Sequence, residues 1–192
     1  MNDVITLKSG IWEAGVCPSL GGNLISLTCD GKHVLRPLVD EAQIAINPYL
    51  QGAPILLPAN RTYLGKFTFE GVEYSLPVNE ASTNSHLHGL VHRQAFSVVK
   101  QSETSITMKY VNVAGPVYPF DFEMVVTYTV DEFVYTVSEN FDHWITWNAR
   151  GKEDYICLEP QAGKVNGLNI PDGHIVLAPE QSEVYTARFS RS

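Results

Sequence analysis

Residues 120–130, FDFEMVVTYTV, alternate apolar and polar side chains over eleven positions. Period-two alternation of that length builds a half-buried β-strand and gives a helix no coherent apolar face. No segment sustains a 3.6-residue period, and turn signals recur at the short spacing of a sandwich or barrel. The chain therefore reads as all-β, an antiparallel β-sandwich occupying residues 1–192 as a single domain. At 192 residues it is long enough to bury a core. No internal repeat, low-complexity segment or linker divides it.

The other strands are shorter. Residues 5–27 open with alternating runs broken by Gly10, Pro18 and Gly21-Gly22, and 23–29 alternate again before Asp30-Gly31, a strong hairpin signal. Val34-Leu35 begins the return strand. Residues 41–46 are expected to form one helical turn, ended by Asn47-Pro48. The apolar run 53–57 reads as a buried strand through Ile55-Leu56-Leu57 and is closed by Pro58. Residues 68–74 make a second hairpin with Glu70-Gly71 at its tip. Beyond a polar loop at 84–93, residues 95–100 and 105–111 read as a strand pair. The long strand is expected to turn at Asp131-Glu132 and pair with 133–137. Residues 144–147, 155–158 and 175–177 are short strand candidates, and 184–189 closes the chain.

Lys and Arg number 13 against 21 Asp and Glu, a net charge of -8. With no basic stripe, that sign argues against nucleic acid or an anionic membrane as partner. Cys17, Cys29 and Cys157 are odd in number and lack CxxC spacing, so they read as reduced thiols. No apolar stretch follows Met1, and no run approaches the roughly 20 apolar residues of a membrane span. The expectation is a cytoplasmic protein.

Chemistry concentrates in residues 47–96. Arg61 follows Pro58-Ala59-Asn60. It reads either as a surface arginine on a turn or as a fork of donors in a cleft, suited to sugar hydroxyls or a carboxylate. His86 and His88 are two apart, so in an extended segment both face one way. With His92 they spell H-x-H-x3-H, a pattern that raises zinc, iron or manganese. However, Gly89 breaks the strand and no nearby carboxylate completes a triad, so no metal ligand is assigned. Glu159 ends the apolar strand Cys157-Leu158-Glu159-Pro160, and both a paired structural acid and a tuned general base fit it. Tyr49, Tyr63, Trp144 and Trp147 read either as sandwich core and rim or as platforms for a sugar ring.

Taken together these residues resemble the aldose 1-epimerase (galactose mutarotase) family. The likeness lies in Asn60-Arg61 with Gly65-Lys66-Phe67-Thr68-Phe69, in Leu76-Pro77-Val78-Asn79-Glu80, and in His86-Leu87-His88-Gly89. It continues through Tyr118-Pro119-Phe120, Cys157-Leu158-Glu159-Pro160, Asn166-Gly167-Leu168-Asn169 and Pro179-Glu180, covering most of the chain in the same order. The Leu90-Val91-His92-Arg93 continuation is similar to a divergent, mutarotase-like branch.

The resemblance implies a β-supersandwich with a sugar cleft, and interconversion of the α and β anomers of a free aldose without cofactor or metal. It makes Glu159 the base at the C1 hydroxyl, His88 the first active-site histidine and Arg61 the holder of sugar hydroxyls. His86 and Asn60 would line the site. Family members are longer and carry a second histidine in a His-Pro-Tyr-Phe-like segment. Here the chain passes from Glu139 almost directly to Phe141-Asp142-His143, without that segment and the strands around it. Unpaired edges would then leave a homo-oligomer open. Two further readings stay in play: a catalytically silent carbohydrate-binding sandwich and, with less support, an HxH metalloprotein.

Overall fold

The computed structural model describes residues 3–38, 44, 47–130, 135–148 and 155–189. In chain order the strands are β1 (Ile5–Ser9), β2 (Trp12–Cys17), β3 (Asn23–Cys29), β4 (Lys32–His33), β5 (Arg61–Tyr63), β6 (Lys66–Phe69) and β7 (Val72–Ser75). They continue with β8 (Ser85–Leu87), β9 (Ser97–Gln101), β10 (Ser105–Asn112), β11 (Phe122–Thr129), β12 (Tyr135–Val137), β13 (His143–Trp147), β14 (Cys157–Gln161) and β15 (Ala187–Phe189). Every ladder between these strands is antiparallel. The all-β, antiparallel class expected from the alternation is the one observed.

Contacts divide the chain into two compact units. The first comprises Met1–Leu57 and Gly89–Asp131. It holds a four-stranded sheet in the order β1-β2-β3-β4 and a three-stranded sheet in the order β11-β10-β9. β10 buries Ile106 and Met108 completely on one face, while β1 and β2 bury Leu7 and Val16. Each such side chain contributes about 1.5–3 kcal/mol relative to exposure. The second unit comprises Pro58–His88 and Glu132–Ser192. Its sheets are all two-stranded: β5-β8, β6-β7, β12-β15 and β13-β14.

The hairpins at Asp30-Gly31 and Glu70-Gly71 form where turn chemistry places them, with positive φ at all four residues. In the second unit the β5-to-β6 turn needs glycine. Gly65 has φ +63°, and a Cβ there would run into the Leu76 carbonyl oxygen, because the two backbones meet where the Leu76 amide donates to the Gly65 carbonyl at 2.6 Å.

Four expectations need correction. β11 takes its partner from upstream, pairing with β10 from Ser105↔Thr129 to Asn112↔Phe122. β12 pairs with β15 instead. The turn expected at 131–132 and the helical turn at 41–46 lie outside the described residues, apart from buried Ile44. Residues 53–57 form only isolated bridges and are mostly half-buried, so apolarity without a continuous partner did not make a strand. Residues 175–177 likewise form no strand and stay exposed, and of 184–189 only the last three pair.

Candidate active site

Asn60, Arg61, His86, His88 and Glu159 all lie in the second unit. β5 alternates strictly: Arg61 and Tyr63 are exposed, Thr62 buried. It pairs with β8 so that Thr62 lies opposite His86 and Arg61 opposite Leu87. Just before β5, Asn60 is buried with φ +59°, a left-handed geometry that asparagine tolerates. Just after β8, His88 has φ +62°. These two off-strand residues lock onto each other. The His88 amide donates to the Asn60 carbonyl at 2.9 Å, and the Asn60 amide donates to His88 Nδ1 at 3.2 Å.

That last bond settles the histidine's chemistry. With Nδ1 accepting, a neutral His88 carries its proton on Nε2. Burial, then the neighbouring Arg61 guanidinium, pushes its pKa down to about 4. His88 is thus a neutral imidazole at pH 7, a donor at Nε2.

His86 behaves differently. It is fully buried, and its Nδ1 donates to the Pro77 carbonyl at 2.6 Å. Burial lowers its pKa, and its Nε2 has no hydrogen-bond partner among the described residues. The expectation that His86 and His88 share a face fails because β8 ends at Leu87 and the left-handed turn at His88 breaks the alternation. His92, the third of the H-x-H-x3-H set, belongs to the other unit. There it is buried, accepts from Arg93 Nε at 3.2 Å and lies 5.2 Å from the Tyr49 ring. No group of three or more His, Cys, Asp or Glu suited to a metal occurs among the described residues.

Arg61 is not sunk in a cleft. Its side chain is 43% exposed and forks onto Glu80, Nε to Oε2 at 2.6 Å and Nη2 to Oε1 at 2.8 Å. The guanidinium and the Thr83 hydroxyl hold the Glu80 carboxyl down at about 2. Glu80 stood in the sequence only as the end of a family-like motif. Its role as anchor of Arg61 was not foreseen, since nothing in the sequence pairs residues 19 apart.

Glu159 sits on β14 opposite Ile145 and is half-buried. Burial raises its pKa, and the hydrogen bond from Gln161 acts the other way. Gln161, itself buried, is the second residue the sequence reading missed. Its Nε2 donates to Glu159 Oε2 at 3.4 Å, and its Oε1 accepts from Asn60 Nδ2 at 3.4 Å. One line of polar contacts therefore runs from His88 through Asn60 and Gln161 to Glu159. It joins residues a hundred positions apart in sequence. The two carboxylates are tuned in opposite directions, Glu80 locked in its charged form and Glu159 shifted towards holding a proton. Such a divergence is what acid–base sites use.

The aldose 1-epimerase family model matches residues 3–138, a span that contains Asn60, Arg61, Glu80, His86 and His88 and stops short of Glu159. The uncharacterized protein YihR of Escherichia coli (strain K12) is 28% identical over 128 residues, 66% of this chain and 40% of YihR. Among solved structures, a galactose mutarotase-like protein from Clostridium acetobutylicum aligns with a TM-score of 0.58 at 25% identity, over 65% of this chain and 40% of its own. The GalM/aldose epimerase homologue from C. elegans aligns with a TM-score of 0.60 at 21% identity, over 70% and 43%. The chain thus spans about 40% of the length of the relatives it matches. Its fold is galactose mutarotase-like, and with the family model matched over well more than half its residues, the chain belongs to the aldose 1-epimerase family.

Proposed function

We propose that the chain acts as an aldose 1-epimerase-like isomerase, interconverting the anomers of a free aldose at Glu159 and His88. Arg61 and Asn60 hold sugar hydroxyls, and His86 backs the site. The observation that carries this reading is the polar line from His88 through Asn60 and Gln161 to Glu159, which ties a base to an imidazole donor within one unit.

The Glu159 carboxylate takes the proton from the C1 hydroxyl. The C1–O5 bond breaks as a carbonyl forms at C1, and the charge gathering on O5 meets the Nε2–H of His88. O5 takes a proton from solvent, the chain rotates about C1–C2, and the reverse sequence closes the ring on the opposite face. A positioned base is worth about 10²–10⁴ in rate. His88 acts here as a hydrogen-bond donor and not as a proton store, since a group with a pKa of about 4 is almost wholly neutral at pH 7.

A second reading is favoured by one observation: the Nε–Nη2 edge of the Arg61 guanidinium is already engaged by Glu80. In this alternative the chain binds sugar without turning it over. Polarimetry on fresh α-glucose and α-galactose separates the two. Accelerated mutarotation that is lost in Glu159→Gln supports the isomerase. Sugar binding by calorimetry with mutarotation at the spontaneous rate supports the silent binder.

A further inference from the structure

Among the described residues the sheets of the first unit end on four strands, β1, β4, β9 and β11. β1, β4 and β9 run for five, two and five residues and carry Lys8, Lys32 and Lys100 in turn. The β1 edge is also tied down by the Lys8 amide, which donates to the Glu103 carbonyl at 2.9 Å. β9 in addition slips register against β10 between Thr107 and Met108. Short length, lysine and a bulge are devices by which natural sheets keep their edges from pairing with another chain. β11 has none of them. It runs for eight residues, Phe122–Thr129, in unbroken register with β10 and with neither lysine nor proline.

The ladder fixes which backbone groups stand free along that edge. The Val130 amide donates to the Thr104 carbonyl at 2.8 Å, in line with the pairing of Ser105 with Thr129. Pairs along an antiparallel ladder alternate between bonded and non-bonded. Phe122, Met124, Val126 and Tyr128 therefore turn their N–H and C=O towards β10, and Glu123, Val125 and Thr127 turn theirs outward. Those outward backbone groups have no hydrogen-bond partner among the described residues. The side chain of Val125 is 60% exposed. On the inward face Ile106 and Met108 are fully buried, whereas Tyr128 and Val126 opposite them are only half-buried. The apolar layer thins out towards the open edge.

We propose that two copies of this chain pair antiparallel along β11 about a two-fold axis at Val125, so that one sheet continues through both. In that register Phe122 faces the partner's Tyr128 and Met124 faces the partner's Val126, apolar row against apolar row. Val125 and the partner's Val125 exchange backbone hydrogen bonds, as do Glu123 and the partner's Thr127. No like charges stand opposite each other, and the one acid of the strand is already paired with Lys109 at 3.3 Å. A slip by one residue would set the apolar row against the outward one, so the register is specified. A two-fold pairing closes on itself and gives a dimer, not a fibre. One strand pair is a small interface, for which a dissociation constant of about 10 µM is expected. The pairing is independent of the chemistry at Glu159.

The test is sedimentation velocity from about 1 to 500 µM protein, a range that brackets that constant, with amide hydrogen exchange at both ends. Wild type should pass from monomer to dimer. The amides of Val125 and Thr127 should gain protection as it does, whereas that of Val126, already bonded to β10, should gain none. Val125→Lys sets lysine against lysine at the axis and should raise the dissociation constant about tenfold, with the urea midpoint reporting the fold. Val125→Pro is the second variant, since it removes an outward N–H that the β10 ladder does not use. A monomer across the whole range would overturn the pairing, and so would a dimer whose constant is unmoved in folded Val125→Lys. Species that keep growing beyond the dimer would mean that β11 meets β9 head to tail, and would overturn the two-fold pairing as well.

Discussion

The two units spend their buried volume differently. Among the described residues the first unit buries the apolar set of Leu7, Val16, Cys17, Leu24, Ile25, Val91, Phe96, Ile106 and Met108. The second buries only Phe67 and Leu76 among large apolar side chains, but also Asn60, Thr62, Ser85, His86 and Gln161. One unit has wide sheets with a mainly apolar interior that also holds Asn23, Gln51, His92 and Asn112, the other two-stranded sheets with a mainly polar one. Isolated two-stranded pairs are marginal on their own, so the second unit leans on hydrogen bonds, among them those of its candidate site. The two units thus draw their stability from different kinds of contact, and mutations should separate them.

The sharpest contrast is in cavity formation. Leu7→Ala, in the first unit, should lower unfolding free energy by about 2–5 kcal/mol. Leu158→Ala, in the second and half exposed, should cost about 0.5 kcal/mol or less. Urea titration of both variants checks this, and equal losses would erase the distinction between the units.

Next comes the buried amide that belongs to both ledgers of the second unit. Gln161→Leu strands Asn60 Nδ2 and removes the donor to Glu159. A stability loss of about 1–3 kcal/mol is expected. Because that hydrogen bond lowers the Glu159 pKa, its removal should move the acidic limb of the rate profile to higher pH. A stability loss with an unmoved limb would make Gln161 merely structural.

Gly65→Ala should cost about 1–2 kcal/mol from its left-handed backbone alone, with more from the Leu76 carbonyl, as read by thermal unfolding. Glu80→Gln should have a small effect, about 1 kcal/mol or less, since its arginine partner is 43% exposed. Its pH signature is nonetheless specific. The folded carboxyl stays charged down to about 2, where an unfolded one is protonated near 4.5. The stabilisation is therefore complete above 4.5 and lost as pH falls through about 2. His88 adds a loss of the same sign between 6.5 and about 4. The difference between wild type and Glu80→Gln should vanish at the acid end of the first window and not of the second.

Local patterns carried much of this fold into view. Period-two alternation announced β3, β10 and β11, and paired turn residues announced the hairpins at Asp30-Gly31 and Glu70-Gly71. What alternation cannot encode is the partner. β12 joins β15 some fifty residues away, and that choice depends on which backbone edge is left open in space. The site followed the same division. Arg61, His88 and Glu159 were visible as residue types in a familiar order. The fork from Glu80, the left-handed turn that parts His88 from His86, and the bridging Gln161 are products of tertiary placement. Gln161 in particular looks in sequence like an ordinary polar neighbour two positions past Glu159.

The central claim is that Glu159 takes a sugar proton at a site joined to His88 by the polar line through Asn60 and Gln161. Exchange spectroscopy between the H1 resonances of α- and β-glucose measures that step at equilibrium, with wild type and Glu159→Gln at matched concentration. The account predicts exchange that grows with wild-type concentration and returns to the spontaneous rate in the variant. Exchange that is equally fast in Glu159→Gln would contradict it.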